Sequence, residues 1–257
     1  MRAGPGLGGI LPAQSDYLQA TRGHGHGDYK LIVLAPASVQ EAVELMGLAF
    51  RLAEKYRNPV MVCADGMIGQ MMEPVEFSSE GRGPALADND WALTGAAGRP
   101  PRVVSSLYLV PEELHRHNLR LKAKYDRIAE EEPRWENYHG DRPYDLLVVA
   151  FGTMARICKS AIDNVAAEGR RVALFRPITL NPFPVAACRT AADAVVGTGG
   201  VLTVEMSMGQ LVLDVQHAVA ESRPVDLYGT AGGVVLSPDQ VAERIRAVLD
   251  TAGPTSA

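Results

Sequence analysis

The sequence has few of the residues that build metal or redox centres. Its 257 residues include only three cysteines, which are far apart and form no Cys-x-x-Cys pair: Cys63, Cys158 and Cys188. Zinc sites and iron–sulfur clusters need clustered thiolates, so neither is predicted in this chain. An odd, scattered set of cysteines is typical of reduced thiols in the cytosol. If the chemistry moves electrons, they must leave through another chain.

Basic charge and long apolar runs are also scarce. Lys and Arg total 25 against 30 Asp and Glu, so the formal net charge is −5, which argues against a nucleic-acid surface. No apolar run approaches the ~20 residues that span a bilayer. The N-terminus also lacks the basic-then-apolar layout of a signal peptide. We therefore expect a cytoplasmic protein of one large or two modest domains that binds neither nucleic acid nor membrane.

Glycine, in contrast, is concentrated at the start of the chain. Four glycines and a proline stand within the first nine residues, behind Arg2. Glycine lets a ligand approach the backbone closely, and arginine offers a planar fork of donors for carboxylate or phosphate. We interpret this stretch, with the polar residues that follow it, as a loop that contacts an anionic ligand. Because domains rarely begin on a ligand loop, the chain is expected to start inside a domain.

Other interpretations of this loop stay open. Gly4, Gly6 and Gly9 match the G-x-G-x-x-G pattern, but dinucleotide binding needs a strand before it, and Met1 leaves no room for one. A plain surface loop is a second alternative, because Gly and Pro clusters usually mark loops. His24 and His26 are either acid–base groups or solvated loop residues.

Residues 31–63 have the pattern of a strand, a helix and a second strand. Leu31–Leu34 and Val60–Cys63 are short apolar runs typical of buried parallel strands. Ser38-Val39-Gln40-Glu41 is a capping box that begins the helix. One stripe of apolar residues recurs at helical spacing, and we predict that it is the buried face. Its members are Val39, Val43, Met46, Phe50 and Ala53.

The middle of the chain offers little regular pattern. Asp65-Gly66 with Asn89 imitates a signature for Mg²⁺ and a diphosphate, but Asp-Gly is a common turn pair and we predict a turn. Residues 78–101 are rich in Gly, Pro, Ser and Asp and predict an irregular connection. Residues 111–132 predict a surface helix with Pro111 in its first turn and a thin apolar stripe.

A second α/β unit begins at Tyr144. Apolar runs at 146–150, 172–175, 201–204 and 225–228 alternate with helical patterns, which predicts a parallel sheet. Thr153 is predicted to cap the first helix, and Ser237 begins the last. The loop Glu205–Gln210 leads into the helix predicted from Gly209 to Ala220 and either contacts a ligand or serves structure and an interface. We therefore single out Glu205, Gly209 and Gln210 as interface or helix-N-terminus residues.

Five stretches resemble the α subunit of the 2-oxoacid:ferredoxin oxidoreductases. They are 2–8, 12–17, 25–29, 175–180 and 205–210. The likeness runs in order and nearly from end to end. The motifs Gln-Ser-Asp-Tyr and His-Gly-Asp-Tyr are most similar to those of the branched-chain subtype.

The resemblance implies an α/β fold with two parts. A partial pyrimidine-side thiamin-diphosphate-binding domain precedes a transketolase C-terminal-like parallel α/β domain. The expected boundaries are 1–77 for the C-terminal part of the pyrimidine-binding domain, 78–143 for an irregular connection with a linker helix, and 144–257 for the second domain.

The resemblance also implies an activity. This family oxidatively decarboxylates a 2-oxoacid, of branched-chain type in this case, to an acyl-CoA and passes electrons to ferredoxin. Thiamin diphosphate and Mg²⁺ are shared with a β subunit, coenzyme A is the co-substrate, and iron–sulfur clusters belong to partner chains. The expected partners are a β subunit, a γ subunit, a ferredoxin-like δ subunit and ferredoxin. Alternatives are 2-oxoglutarate or pyruvate as substrate, or a non-catalytic assembly subunit that retains only the fold; an unrelated transketolase-like transferase is disfavoured.

Site residues follow from the same likeness. Arg2 matches the family's arginine before the glycine loop, which meets the substrate carboxylate or the CoA end of the site. We expect six residues to face substrate or cofactor, and none to bind metal: Arg2, Gly4, Gly6, Gln14, Asp16 and His26. Ala3 replaces the family's usual glycine and would be strained at positive φ. The family's activating glutamate precedes this arginine, so the chain is expected to be N-terminally truncated and inactive alone.

Overall fold

The computed structural model describes residues 1–25, 27–77, 89–220 and 222–251. The strands are β1 (Ile32–Leu34), β2 (Val60–Val62), β3 (Trp135–Tyr138), β4 (Leu146–Val149), β5 (Val172–Pro177), β6 (Thr179–Asn181), β7 (Val201–Glu205) and β8 (Val225–Gly229). The helices are α1 (Tyr17–Thr21), α2 (Val39–Tyr56), α3 (Gly66–Gln70), α4 (Pro111–Glu131), α5 (Gly152–Ala167), α6 (Val185–Asp193), α7 (Leu211–Val219) and α8 (Pro238–Thr251).

These strands form two sheets. The first has the order β2-β1-β6 and the second the order β3-β5-β4-β7-β8. The predicted parallel pairs are confirmed: β1 with β2, and β4, β5, β7 and β8 in the second sheet. Two antiparallel strands were not predicted, β3 beside β5 and β6 beside β1. Because β6 follows β5 in the chain but pairs in the first sheet, the two halves interlock, and the boundary at 143/144 stays a prediction.

Burial separates the central strands from the sheet edges. All residues of β4, β5 and β7 are buried, as their apolar runs predict for parallel strands covered on both faces. The residues of β3 alternate between exposed and half-buried. Phe151 and Phe175, both fully buried, pack with Tyr17 of the N-terminal segment in one core cluster. The start of the chain is therefore part of the core that the second sheet builds.

The buried face of α2 was predicted wrongly. Its buried residues are Leu45, Ala49, Leu52 and Tyr56. Met46 and Phe50, from the predicted stripe, are 49% and 67% exposed. The helix carries two apolar stripes at the same spacing, and only the sheet beneath decides which one is covered.

Most predicted helix ends are confirmed. The Ser38 hydroxyl accepts the Glu41 N–H at 3.1 Å at the start of α2. Before α8, Ser237 and Gln240 exchange two hydrogen bonds of 3.2 and 2.9 Å, which is a complete capping box. The helix α7 is shorter than predicted and begins at Leu211. The predicted irregular segment is borne out over 89–101, which has no helix or strand; residues 78–88 lie outside the described part.

One ionic cluster links the two sheets. Arg176 of β5 is buried and forms two hydrogen bonds of 2.8 Å with the Glu41 carboxylate of α2. A third, of 2.7 Å, runs to Glu136 of β3. A buried guanidinium requires such partners, so the cluster fixes α2 against the second sheet. Among the helices in the described ranges, none combines the length and apolar character needed to cross a bilayer.

Candidate functional site at the carboxyl ends of both sheets

Residues 2–12 form a closed loop. The Ala3 N–H donates to the Leu11 carbonyl at 2.9 Å, and the Gly9 N–H donates to the Ala3 carbonyl at 3.2 Å. Gly8 has a φ of +59°, and a Cβ there would lie 2.1 Å from the Ala3 carbonyl oxygen. A side chain does not fit at this position, so Gly8 fixes the shape of the loop.

Arg2 lies at the base of this loop and its side chain is exposed. Its Nη1 donates to the Leu7 carbonyl at 2.8 Å and approaches the Gly9 carbonyl at 3.5 Å. Within the described residues, Nε and Nη2 have no protein acceptor. Arg2 therefore holds the loop with one nitrogen and keeps donors for an anion.

Ala3 does not have the strain that a positive φ would bring. Positive φ outside glycine occurs, in the described residues, at His24, Arg57, His139 and Ala220. Ala3 is buried in an ordinary conformation and accepts the Gly9 N–H. The replacement of the family's glycine by alanine is therefore compatible with this loop.

The loop covers the carboxyl-end turns of both sheets. A Cβ on Gly66, after β2, would lie 3.2 Å from Pro12 Cα, and one on Gly233, after β8, would lie 2.4 Å from Leu11 Cβ. Parallel sheets place their ligand-binding loops at these ends. Residues 2–12 therefore contact the carboxyl-end turns of both sheets, and we call this edge of the molecule the rim.

The outward side of the loop is apolar. Leu7 is 91% exposed, Ile10 77% and Leu11 54%. Gly4 and Gly6, in the same loop, are half-exposed and exposed. The structure thus brings Arg2, Gly4 and Gly6 together at the rim, next to three exposed aliphatic side chains.

Gln14 lies elsewhere than the sequence predicted, because its side chain is fully buried. Its amide Nε2 donates to the Phe151 carbonyl at 2.9 Å, and its Oε1 accepts the Met206 N–H at 2.9 Å. The Gln14 N–H donates to the Met206 carbonyl at 2.8 Å. Gln14 therefore fastens the loop to the ends of β4 and β7, and its burial keeps the amide away from a ligand at the exposed face of the loop.

Glu205 ends β7 with a fully buried carboxylate. The carboxylate accepts the N–H groups of Gln210, Leu211 and Val212 at 3.0–3.2 Å. The Ser207 hydroxyl donates to it as well. The anion position at the N-terminus of α7 is thus filled by the chain's own carboxylate.

Gln210 connects this helix start to the N-terminal segment. Its Nε2 donates to the Ser15 carbonyl at 2.6 Å, and its Oε1 accepts the Leu18 N–H at 2.9 Å. Gly209, half-buried beside it, forms the turn into α7. Gln210 therefore positions the segment that follows the loop, and Glu205 orders the helix start from which Gln210 extends.

The sequence analysis missed a polar triad formed by Tyr17, Arg22 and Asp214. The hydroxyl of the fully buried Tyr17 donates to Asp214 at 2.6 Å, and Arg22 pairs with the other oxygen of Asp214 at 2.5 Å. Burial, with Asp214 beside it, raises the pKa of Tyr17 well above its usual value. No local sequence pattern predicts this contact, because Tyr17 and Asp214 are almost 200 residues apart. The triad anchors α1 on α7.

Asp65 is a helix cap and an inter-domain link. Its Oδ1 accepts the N–H groups of Met67 and Ile68 at 3.1 and 3.2 Å. It also receives the Thr153 hydroxyl at 2.7 Å, and its Oδ2 receives the Thr153 N–H at 3.0 Å. The prediction that Thr153 caps α5 was therefore wrong, because its hydroxyl is committed to Asp65 in the other domain.

Asp16 and His24 line a cleft of about 290 Å³ beside the end of β2, together with Cys63. The Nδ1 of His24 lies 2.9 Å from the Tyr29 hydroxyl. Burial raises the pKa of the Cys63 thiol. His26, the other predicted site residue of this region, lies outside the described residues.

The free hydrogen-bond donors of the loop could form one side of a cofactor-binding cleft. Among the described residues, no group of His, Cys, Asp and Glu side chains could hold a metal ion. Both carboxylate oxygens of Asp65 accept hydrogen bonds from the protein. The free donors of Arg2 and the exposed glycines of the loop fit an anionic ligand at the rim. The arrangement suits a cleft that a second surface completes.

Comparison with known proteins assigns the family. The family of pyruvate flavodoxin/ferredoxin oxidoreductase, thiamine diphosphate-binding, matches residues 1–135, and pyruvate:ferredoxin oxidoreductase core domain II matches residues 145–241. The chain is 44% identical over 248 residues to the ketoisovalerate oxidoreductase subunit VorB of Methanothermobacter thermautotrophicus, which covers 96% of this chain and 69% of that subunit. This chain belongs to the 2-oxoacid:ferredoxin oxidoreductase family.

Two further relatives of this oxidoreductase are similar along most of the chain. The VorB subunit of Methanothermobacter marburgensis is 42% identical, with 96% of this chain and 69% of that subunit covered. The 2-oxoglutarate synthase subunit KorA of Archaeoglobus fulgidus is 30% identical, with 97% and 70% covered. The predicted resemblance to the α subunit of the family is confirmed.

A solved structure confirms the fold. The 2-oxoglutarate:ferredoxin oxidoreductase from Magnetococcus marinus, with 2-oxoglutarate, coenzyme A and succinyl-CoA bound, superposes with a TM-score of 0.71. The match covers 96% of this chain and 47% of that one at 21% identity. This chain thus spans about half the length of that neighbour, and the likeness establishes the α/β architecture that the sequence predicted.

Proposed function

We propose that this chain is the α subunit of a thiamin-diphosphate-dependent 2-oxoacid:ferredoxin oxidoreductase. The complete enzyme oxidatively decarboxylates a branched-chain 2-oxoacid to its acyl-CoA and passes the electrons to ferredoxin. The observation that carries the proposal is the closed, arginine-led loop at the rim of a domain that matches a thiamine diphosphate-binding family. The 44% identity to a ketoisovalerate oxidoreductase subunit, against 30% to a 2-oxoglutarate synthase subunit, favours the branched-chain substrate.

The rim suits the role of one wall in a shared cleft. Thiamin diphosphate, when bound, supplies the chemistry that stabilises the carbanion left by decarboxylation. The chain's own part is to bind and orient: Arg2 offers the N–H groups of two nitrogen atoms to a carboxylate, and Gln14 fastens the loop that carries it. Asp16, at the neighbouring cleft, and His26 remain proposed ligand-facing residues.

The remaining components belong to partner chains in this proposal. A β subunit holds the diphosphate and Mg²⁺, which is consistent with the commitment of Asp65 to Thr153. The γ and δ subunits and ferredoxin receive the electrons. The three cysteines of this chain are buried and unpaired and far apart in the sequence, which favours iron–sulfur clusters on other polypeptides.

The test is an assay of the complete α subunit that contains this sequence, assembled with its partner subunits and loaded with thiamin diphosphate and Mg²⁺. We expect reduction of a viologen dye that requires coenzyme A and is faster with 3-methyl-2-oxobutanoate than with 2-oxoglutarate or pyruvate. If the assembled, cofactor-loaded complex fails to reduce the dye with any of these 2-oxoacids, the result would contradict a catalytic role and favour an assembly subunit. Faster turnover of 2-oxoglutarate would overturn the substrate assignment.

A further inference from the structure

We propose that Leu7 and Ile10, which we term the loop tip, contact the alkyl side chain of the 2-oxoacid and set the preference for branched aliphatic substrates. The inference rests on the proposed function and goes beyond it, because it assigns specificity to two residues of this chain. It follows from the exposure of the loop tip, from the position of Arg2 and from the charge of the loop.

The loop tip is held in an outward position. Leu7 and Ile10 are 91% and 77% exposed, although burial of aliphatic side chains away from water stabilises a protein. The loop is not free to fold them inward, because the Ala3–Leu11 and Gly9–Ala3 hydrogen bonds close it. A rigid loop that presents aliphatic side chains is a surface built to be covered.

Arg2 fixes which part of a ligand the loop tip would meet. Its Nη1 donates to the Leu7 carbonyl at 2.8 Å, so the guanidinium and the Leu7 backbone are in direct contact. A 2-oxoacid carries a carboxylate at one end and its alkyl group at the other. A guanidinium with free donors beside two exposed aliphatic side chains matches both ends of such a molecule.

The single charged residue of the loop favours a substrate with one carboxylate over a substrate with two. Arg2 is the one charged residue between positions 2 and 12. A second carboxylate, as in 2-oxoglutarate, would meet Leu7 or Ile10 and find no donor among their side chains. An isopropyl group would bury apolar surface there, and one methylene in an apolar pocket changes kcat/KM by roughly 10- to 200-fold.

The test is Leu7→Thr in the assembled, cofactor-loaded complex. We expect kcat/KM for 3-methyl-2-oxobutanoate to fall about 10-fold while that for pyruvate changes less than about twofold, since pyruvate has only a methyl group to bury. Ile10→Thr should act in the same direction. Leu109→Thr is the matched control, because Leu109 is a leucine of similar exposure, 82%, on the segment before α4.

Three outcomes would count against this proposal. An active complex in which L7T leaves the ratio of the two kcat/KM values unchanged refutes the specificity role alone. Failure of L7T to assemble with its partners, with L109T assembling normally, shows a subunit contact in place of a substrate contact. A wild-type complex without activity toward any 2-oxoacid refutes the proposed function together with the inference.

Discussion

Replacement of Arg2 by methionine in the assembled enzyme is expected to lower kcat/KM for the 2-oxoacid about 10- to 100-fold. Hydrogen bonds to a charged group contribute about 1.5–3 kcal/mol, and the variant loses the guanidinium that offers them. The loop itself should persist, because the Ala3–Leu11 and Gly9–Ala3 bonds do not involve the Arg2 side chain. The measurement is steady-state dye reduction over a range of substrate concentrations.

Two variants make the Arg2 result interpretable. Arg2→Lys keeps the charge but loses the planar fork, so its activity should fall between those of wild type and R2M. Arg120→Met removes an exposed arginine of α4 and should leave the kinetics unchanged. Wild-type kinetics in R2M would show that Arg2 does not contact the substrate.

Glu205→Gln is expected to lower the free energy of unfolding by about 3–5 kcal/mol, since it weakens several buried hydrogen bonds to one charged group. The carboxylate accepts three backbone N–H groups and the Ser207 hydroxyl. An amide keeps one acceptor oxygen and turns an NH₂ group toward the remaining donors. The measurement is urea unfolding followed by circular dichroism.

The control for Glu205 is Glu168→Gln. Glu168 pairs with Arg246 at an exposed site, and such pairs contribute about 0–1 kcal/mol. E205Q should also slow dye reduction, because Gln210, next to the cap, holds Ser15 and Leu18 of the N-terminal segment. A stability within 1 kcal/mol of wild type would show that the cap is not needed to order α7.

The sequence predicted those parts of the fold whose signal is local. The buried strands β4, β5 and β7, the edge strand β8 and the capping box of α8 follow from apolar runs and from neighbouring residues. The strands β3 and β6 were missed because neither is a run of apolar residues, and because their pairing depends on partners far along the chain. On α2, the stripe with Phe50 and the stripe with Leu52 have the same spacing, so periodicity could not choose between them.

The candidate site shows the same limit. The arginine and glycines of the loop could be recognised from residue types alone. Gln14 and Glu205 look equally suited to ligand contact in the sequence, yet each is satisfied within the fold. Gln14 meets Phe151 across 137 positions of the chain, which no local pattern encodes. The prediction for Gln14 therefore required knowledge of the tertiary contact.

The central claim is that residues 2–12 form one wall of a thiamin-diphosphate cleft. The most direct measurement is hydrogen–deuterium exchange of the assembled complex, freed of thiamin diphosphate by chelation and then reloaded with the cofactor and Mg²⁺. Reloading should slow deuterium uptake in peptides that cover this loop and leave uptake in α8, which packs against α5, unchanged. Equal uptake by the loop in both states would contradict the account.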